Sequence, residues 1–444
     1  MKQFKLDKTF NYLIFIPIIS YIIGFLLNEN SANSGIYKGV KFDFATDVIW
    51  IKKNIEIFLN NDLINAIKHP DLFGNRTPIV YVLNKIFNPF FSDFDKYRIV
   101  VFSLSLMGPI LFYFFLKIKF YNIDKRILFL IASCLFLSPY YRTSGYWGLN
   151  ENYGIISFII SFLFLELFQK SKKETKRFYF YLILTIFFSS LSVYFDHKFL
   201  IVPLTCFLKI IFTKHSSYLK VFTILLYTIL SLPFVYLIIL WKGIVPPLTQ
   251  AGNPNTITAI EDIYKIYFIH LGYASTIIAF YLFPLIKFID DNIFKTVLVF
   301  LKKRKNLIFL SIGFLYVLLL FLFFDFKKFV VDDYWVGNGM FHKISIILSK
   351  DIIIQMIITY SFFLGSWFII LVFFDKRKKD FIYILYIYFL SLLLWPLMQE
   401  YFDPTIMLFV FFLFKPFKYM TINNSIFYSC YLGIFLIAAN LYYY

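Results

Sequence analysis

Several short polar clusters in this sequence carry residue types that do chemistry, and each borders a long apolar run. KFDFATD sets Asp43 and Asp47 four residues apart, soon after the first apolar run and just ahead of an amphipathic stretch. A carboxylate in such a setting can accept a proton from a hydroxyl nucleophile. Asp47 also stands where a helix N-cap would, so it has two readings. Asp43, between Phe42 and Phe44, is not explained by a helix terminus. NRTP places Arg76 two residues before Pro78, which can open a helix because its missing N–H is unneeded there. A planar guanidinium can grip a phosphate or pyrophosphate through parallel N–H bonds, or meet lipid headgroups at an interface.

RTSGYWGLNENYG gathers Arg142, Tyr146, Trp147, Glu151 and Asn152 in one short stretch between two apolar runs. Tyr and Trp there can be ordinary belt residues, but Glu151 directly precedes an apolar run, a poor place for a carboxylate without a cation or a substrate. Asp196, His197 and Lys198 interrupt YF-DHK-FL, so tightly that the flanking runs must be close neighbours. QEYFDP adds Glu400, Tyr401 and Asp403; Asp403-Pro404 is partly a helix-start signal, which leaves Glu400 unexplained. Lys198, Lys242, Lys327, Lys328 and Lys343 lie away from the dense basic clusters, which makes them candidates for holding an anionic lipid head, with His270 and His342 as helpers.

The elements that must position these groups are membrane spans. Of the 444 residues 60% are hydrophobic and 16% charged, and 62 Phe and 34 Tyr recur in runs too apolar for a soluble core to hide. The formal charge of +18 is not a nucleic-acid footprint, because the basic residues fall in short clusters between apolar runs. MKQFKLDK, KIKFYNIDKR, KSKKETKR, TKHSSYLK, KKRKN, DKRKKD and FKPFKYM read instead as cytoplasmic loops. Spans near 10–27, 96–116, 127–141, 154–169, 178–194, 199–213, 221–241, 271–289, 307–324, 351–374, 381–397, 404–415 and 424–444 make about thirteen and put every cluster inside.

Residues 78–92 decide the parity, since counting them as a span would put KIKFYNIDKR outside. They are short, with Ile79, Leu83, Ile86, Phe87 and Phe90 on one helical face and Asn84, Lys85 and Asn88 opposite, as in a helix lying at the interface. Residues 47–60 repeat the pattern, with a stripe of Val48, Ile51, Ile55 and Phe58 opposite Lys52, Lys53 and Glu56. The first external loop, 28–95, is therefore expected to carry two interfacial helices. The expected fold is one all-α polytopic domain over 1–444, with a cytoplasmic N-terminus, the first apolar run retained as a span, and a bacterial inner membrane as its location. Cys134, Cys206 and Cys430 sit inside apolar runs as small hydrophobes.

With these loops on the non-cytoplasmic side, the arrangement resembles the GT-C glycosyltransferases, multi-span enzymes that take sugars from polyprenyl-phosphate carriers. It is most similar to the branch of lipid A aminoarabinose transferases and protein O-mannosyltransferases. The family's acidic motif after the first span corresponds to Asp43, with Asp47 the competing choice. Its basic residue before a proline-led juxtamembrane helix maps onto Arg76 in RTPIVY, its arginine at the next span's start onto Arg98 in KYRIVVF, and its acidic residue of the second outer loop onto Glu151. Many members carry adjacent Asp-Glu where this chain reads DFATD. The resemblance implies inverting transfer of a sugar to a glycan, lipid or protein acceptor, with an Asp base and cations on the leaving lipid phosphate. It implies membrane lipids as further partners, and a divalent cation at the acidic outer-loop residues is the one cofactor to test. Two rival readings share the same loops: a flippase or transporter of a lipid-linked saccharide, and a lipid-linked oligosaccharide polymerase or ligase.

Overall fold

The computed structural model describes residues 10, 12–29, 35–37, 40–42, 45–74, 76–173, 175–213, 216–252, 268–290, 292–330, 339–393 and 397–443. Their regular structure is helical apart from two short paired strands, Gly35–Tyr37 and Val40–Phe42. Eight helices among them are long and apolar enough to cross a membrane: Phe94–Lys119, Asn150–Lys170, Lys176–Phe195, Ser217–Trp241, Ile269–Ile289, Arg304–Phe323, Ile352–Asp375 and Ile422–Tyr442. That architecture is compatible with a multi-pass membrane protein.

Among the described residues the count is below thirteen for identifiable reasons. The run at 127–141 is not one straight span: Lys125–Leu137 and Pro139–Trp147 meet at 67°, and would make a ninth crossing if taken together. Proline cannot donate to the preceding turn, and Ser138 instead caps the new helix by accepting from Tyr141 N at 3.1 Å. In four other expected spans the longest helices among the described residues are Ile16–Leu26, Ile201–Ile211, Ile382–Leu393 and Thr405–Leu413, of 11, 11, 12 and 9 residues. Eleven helical residues reach about 17 Å, roughly half the hydrocarbon thickness. Tight turns at His197–Leu200 and Lys378–Phe381 lead directly into two of those helices, and one at Gln399–Tyr401 lies between the third and fourth.

The chain divides into two compact units, one of Met1–Ser34, Phe42–Pro254 and Leu432–Tyr444, the other of Gly35–Lys41 and Asn255–Tyr431. In the first, the Ala45–Asn60 helix turns Ile51, Ile55 and Phe58 into a core with Leu72, Tyr81, Tyr97 and Trp241. Its apolar stripe is the expected one, yet it faces protein instead of lying open at an interface. The Ile79–Phe87 helix does the reverse. Ile86 and Phe87 are exposed, whereas Asn84 is buried and donates to Tyr153 Oη at 3.0 Å. Lys85 Nζ donates to the carbonyls of Phe58 and Asn61, each at 2.5 Å, which locks the two short helices together.

Candidate functional site

Three helix ends of the first unit bring one charged cluster together. Arg76 lies just ahead of the Ile79–Phe87 helix, Glu151 in the first turn of Asn150–Lys170, and Asp196 and Lys198 where Lys176–Phe195 gives way to the His197–Leu200 turn. Gly148, at φ +76, closes the preceding helix so that Asn150 can start the next, and a first-turn carboxylate is favoured by the helix dipole. Asp196 accepts from Lys198 N at 3.0 Å and so fixes the turn that carries the lysine. Thr77 Oγ1 donates to the carbonyl of Tyr194, tying the Arg76 segment to the same helix end.

The charges alternate. Arg76 pairs with Glu151 through Nη2 and with Asp196 Oδ2 through Nε at 3.2 Å. Lys198 Nζ lies 3.4 Å from Asp196 Oδ2 and 4.0 Å from Glu151 Oε1. Two cations thus meet two carboxylates, all but Arg76 largely covered. Burial works against the charge on Asp196, but Lys198 and Arg76 outweigh it and hold the carboxyl below its usual range. Burial pushes the neighbouring His197 down, against Asp196 and with Arg76, so its imidazole is neutral at pH 7. Two buried polar atoms here have no hydrogen-bond partner among the described residues, Glu151 Oε2 and His197 Nε2. A buried acceptor left unmet costs about 1–3 kcal/mol, so a donor supplied from outside the chain fits this place.

Gly154 lets the turn approach. A Cβ there would stand 2.4 Å from Cε2 of the buried Phe199, one residue after Lys198. Gly154→Leu is expected to lower stability by about 1–3 kcal/mol through overpacking, read as a fall in the thermal midpoint of the detergent-solubilised protein. An unchanged midpoint would show that Phe199 gives way freely.

Arg142, Tyr146 and Trp147 belong to a different cluster in the same unit. Arg142 is 1% exposed and pairs with Glu29, donating from Nε to Oε1 at 2.7 Å. Tyr146 Oη donates to the Tyr21 carbonyl at 2.6 Å, and Trp147 Nε1 to the Glu29 carbonyl at 3.1 Å. Arg98 stacks on Trp147 at 3.7 Å and donates to the Tyr146 carbonyl at 2.8 Å. Their polar groups are committed to holding the first helix against the bent pair. Glu29 is the charged residue that sequence reasoning passed over. The signal was there, a lone acid closing an apolar run, the same feature that singles out Glu151.

The remaining candidates are placed as follows. Asn152 is fully buried, with Nδ2 3.4 Å from the Val101 carbonyl. Lys242 takes a left-handed conformation at the end of Ser217–Trp241 and is exposed. Asp43 lies outside the described residues. The helix carrying Asp47 begins at Ala45, which puts Asp47 inside its first turn and corrects the N-cap reading. Lys343, Glu400, Tyr401 and Asp403 fall in the second unit. There burial lowers the Lys343 amine to about 8, with Glu400 opposing, and lowers the adjacent His342, 2.8 Å from Tyr273 Oη, to about 3. Gln399 Oε1 accepts from Met340 N at 2.9 Å, joining QEYFDP to the Gly339–Leu348 helix. Among the described residues no three His, Cys, Asp or Glu side chains come close enough to hold a metal. Comparison with protein-family profiles, with characterised proteins and with solved structures found no match.

Proposed function

We propose that this chain is a membrane glycosyltransferase of the GT-C type, moving a sugar from a polyprenyl-phosphate donor to a hydroxyl of a lipid, glycan or protein acceptor on the non-cytoplasmic face. The observation that carries the reading is the cluster of Arg76, Glu151, Asp196 and Lys198, in which Glu151 keeps one buried oxygen unmet. Residues flagged separately in NRTP, GLNEN and DHK stand side by side there. The paired carboxylates hold both cations in place for the phosphate, so their electrostatic help needs no rearrangement as charge develops.

In the proposed reaction the acceptor oxygen forms a bond to the anomeric carbon while the bond from that carbon to the phosphate oxygen breaks. The electron pair leaves with the phosphate, next to Arg76 and Lys198. The hydroxyl proton passes to a carboxylate, Asp43 in first place with Asp47 as the competing choice, and attack from the opposite face inverts the configuration. Glu151 Oε2 is suited to accept a hydrogen bond from a sugar or acceptor hydroxyl and orient it.

The test is reconstitution of the full chain in lipid vesicles with radiolabelled polyprenyl-phosphate-linked hexoses and pentoses and a lipid or glycan acceptor. Label is expected in a new covalent product, and Asp43→Asn should abolish that product while leaving membrane insertion intact. Translocation of the labelled lipid with no product would overturn transfer in favour of a flippase. Block transfer of a whole lipid-linked glycan would favour the polymerase or ligase.

A further inference from the structure

A second place in the first unit has the makings of a binding site and is independent of the transfer reaction. Beside the Glu29–Arg142 pair lies a pocket of about 590 Å³, within the roughly 300–1,000 Å³ of small-molecule sites. Ile16, Ile19, Ile23 and Leu27 of the first helix region form its walls and are 54, 54, 49 and 73% exposed; Ser20, Glu29, Arg142 and Asn440 form its polar end. An apolar trough ending on a buried ion pair is laid out for a molecule with a hydrocarbon body and a polar tip.

The hydrogen bonds say which tip. A guanidinium has five N–H donors, and Arg142 commits all of them. Nε goes to Glu29 Oε1 at 2.7 Å, Nη1 to the Phe136 carbonyl at 3.0 Å and Ser20 Oγ at 3.2 Å, and Nη2 to the Ser20 carbonyl at 2.9 Å and to Glu29 Oε2. Its charge is balanced by Glu29. Gly24 makes this closure sterically open, because a Cβ there would stand 2.4 Å from both Arg142 Nη2 and Glu29 Oε2. Asn440 spends its amide on Glu29 Oε1 at 3.3 Å, which leaves Asn440 Oδ1 buried with no partner among the described residues. The polar end therefore offers acceptors and no spare guanidinium donor. A phosphate, which needs donors and positive charge, does not suit it; a hydroxyl does.

We propose that this pocket binds an uncharged lipid with a free hydroxyl, of the diacylglycerol or long-chain alcohol class, its chain along Ile16, Ile19 and Ile23 and its hydroxyl donating to Asn440 Oδ1. The full-length protein in phosphatidylcholine vesicles is exposed to a diacylglycerol carrying a diazirine on one acyl chain, and separately to phosphatidic acid carrying the same group. Labelled peptides are then mapped after irradiation. Diacylglycerol is expected to label residues 16–27 at least about fivefold more than phosphatidic acid, a difference of about 1 kcal/mol. Asn440→Leu should erase that preference, and Ile23→Trp, at the exposed wall, should suppress labelling by filling the trough. Equal labelling by the two lipids, a preference for phosphatidic acid, a preference that survives Asn440→Leu, or labelling undiminished in Ile23→Trp would overturn the proposal.

Discussion

Arg142→Leu is expected to lower the stability of the protein by roughly 3–5 kcal/mol, the usual penalty for removing one partner of a buried ion pair. The guanidinium is 1% exposed, and Glu29, 9% exposed, would be left as a carboxylate facing apolar walls. Two backbone carbonyls, those of Ser20 and Phe136, would lose the guanidinium donor at the same time. For a chain of this size each kcal/mol moves the thermal midpoint by a few degrees, so a fall on the order of 10 °C is expected in tryptophan-fluorescence melts of the detergent-solubilised protein. Glu29→Gln alone should act in the same direction by stranding the cation. The double variant Arg142→Met/Glu29→Met distinguishes pairing from packing. It removes both charges and should recover most of the loss, since apolar replacement of a whole buried pair is often neutral. A single variant that melts within a degree or two of the parent would sink the structural role assigned to the pair.

The contrast between the two charged clusters shows what local pattern can and cannot carry. Arg76, Glu151, Asp196 and Lys198 were legible one at a time, because each polar group interrupts or adjoins an apolar run where it has no local justification. Their convergence was legible in part, since Glu151 and Asp196 stand at the same end of the consecutive helices Asn150–Lys170 and Lys176–Phe195. The Arg142–Glu29 pair joins residues 113 apart, and nothing in RTSGYWG announces that its arginine is already spent on a distant acid. The same limit governs the amphipathic segments. Periodicity identified the apolar faces of 47–60 and 78–92, but a face is silent about its partner: Ile51, Ile55 and Phe58 meet protein, while Ile86 and Phe87 point away from it. Among the described residues the helices long enough to span are fewer than the runs counted from hydropathy, which is blind to backbone breaks. The run at 127–141 bends by 67° between Leu137 and Pro139, and the described helices Ile201–Ile211 and Thr405–Leu413 are shorter than the length that crosses a bilayer.

Glu151→Gln carries the sharpest consequence for the proposed chemistry. The change keeps the shape and removes the charge that faces Arg76 and Lys198, and it puts an amide where a carboxylate oxygen now stands unmet. Stability should change modestly, because Asp196 still pairs with both cations and Arg76 is 29% exposed at its side chain. Sugar transfer should fall far more, by roughly 10²–10⁴-fold if the carboxylate moves a proton and toward the lower end if it only orients a hydroxyl. The two roles separate in kinetics. Loss of a proton acceptor lowers kcat and removes the acidic limb of the pH profile, whereas loss of an orienting contact raises the acceptor KM and leaves the limb in place. Arg76→Lys gives the complementary result: the charge stays, the planar fork that reaches Glu151 and Asp196 together is lost, and the donor KM should rise at least about tenfold. Transfer within threefold of the parent in Glu151→Gln would remove this cluster from the reaction, whatever became of Asp43.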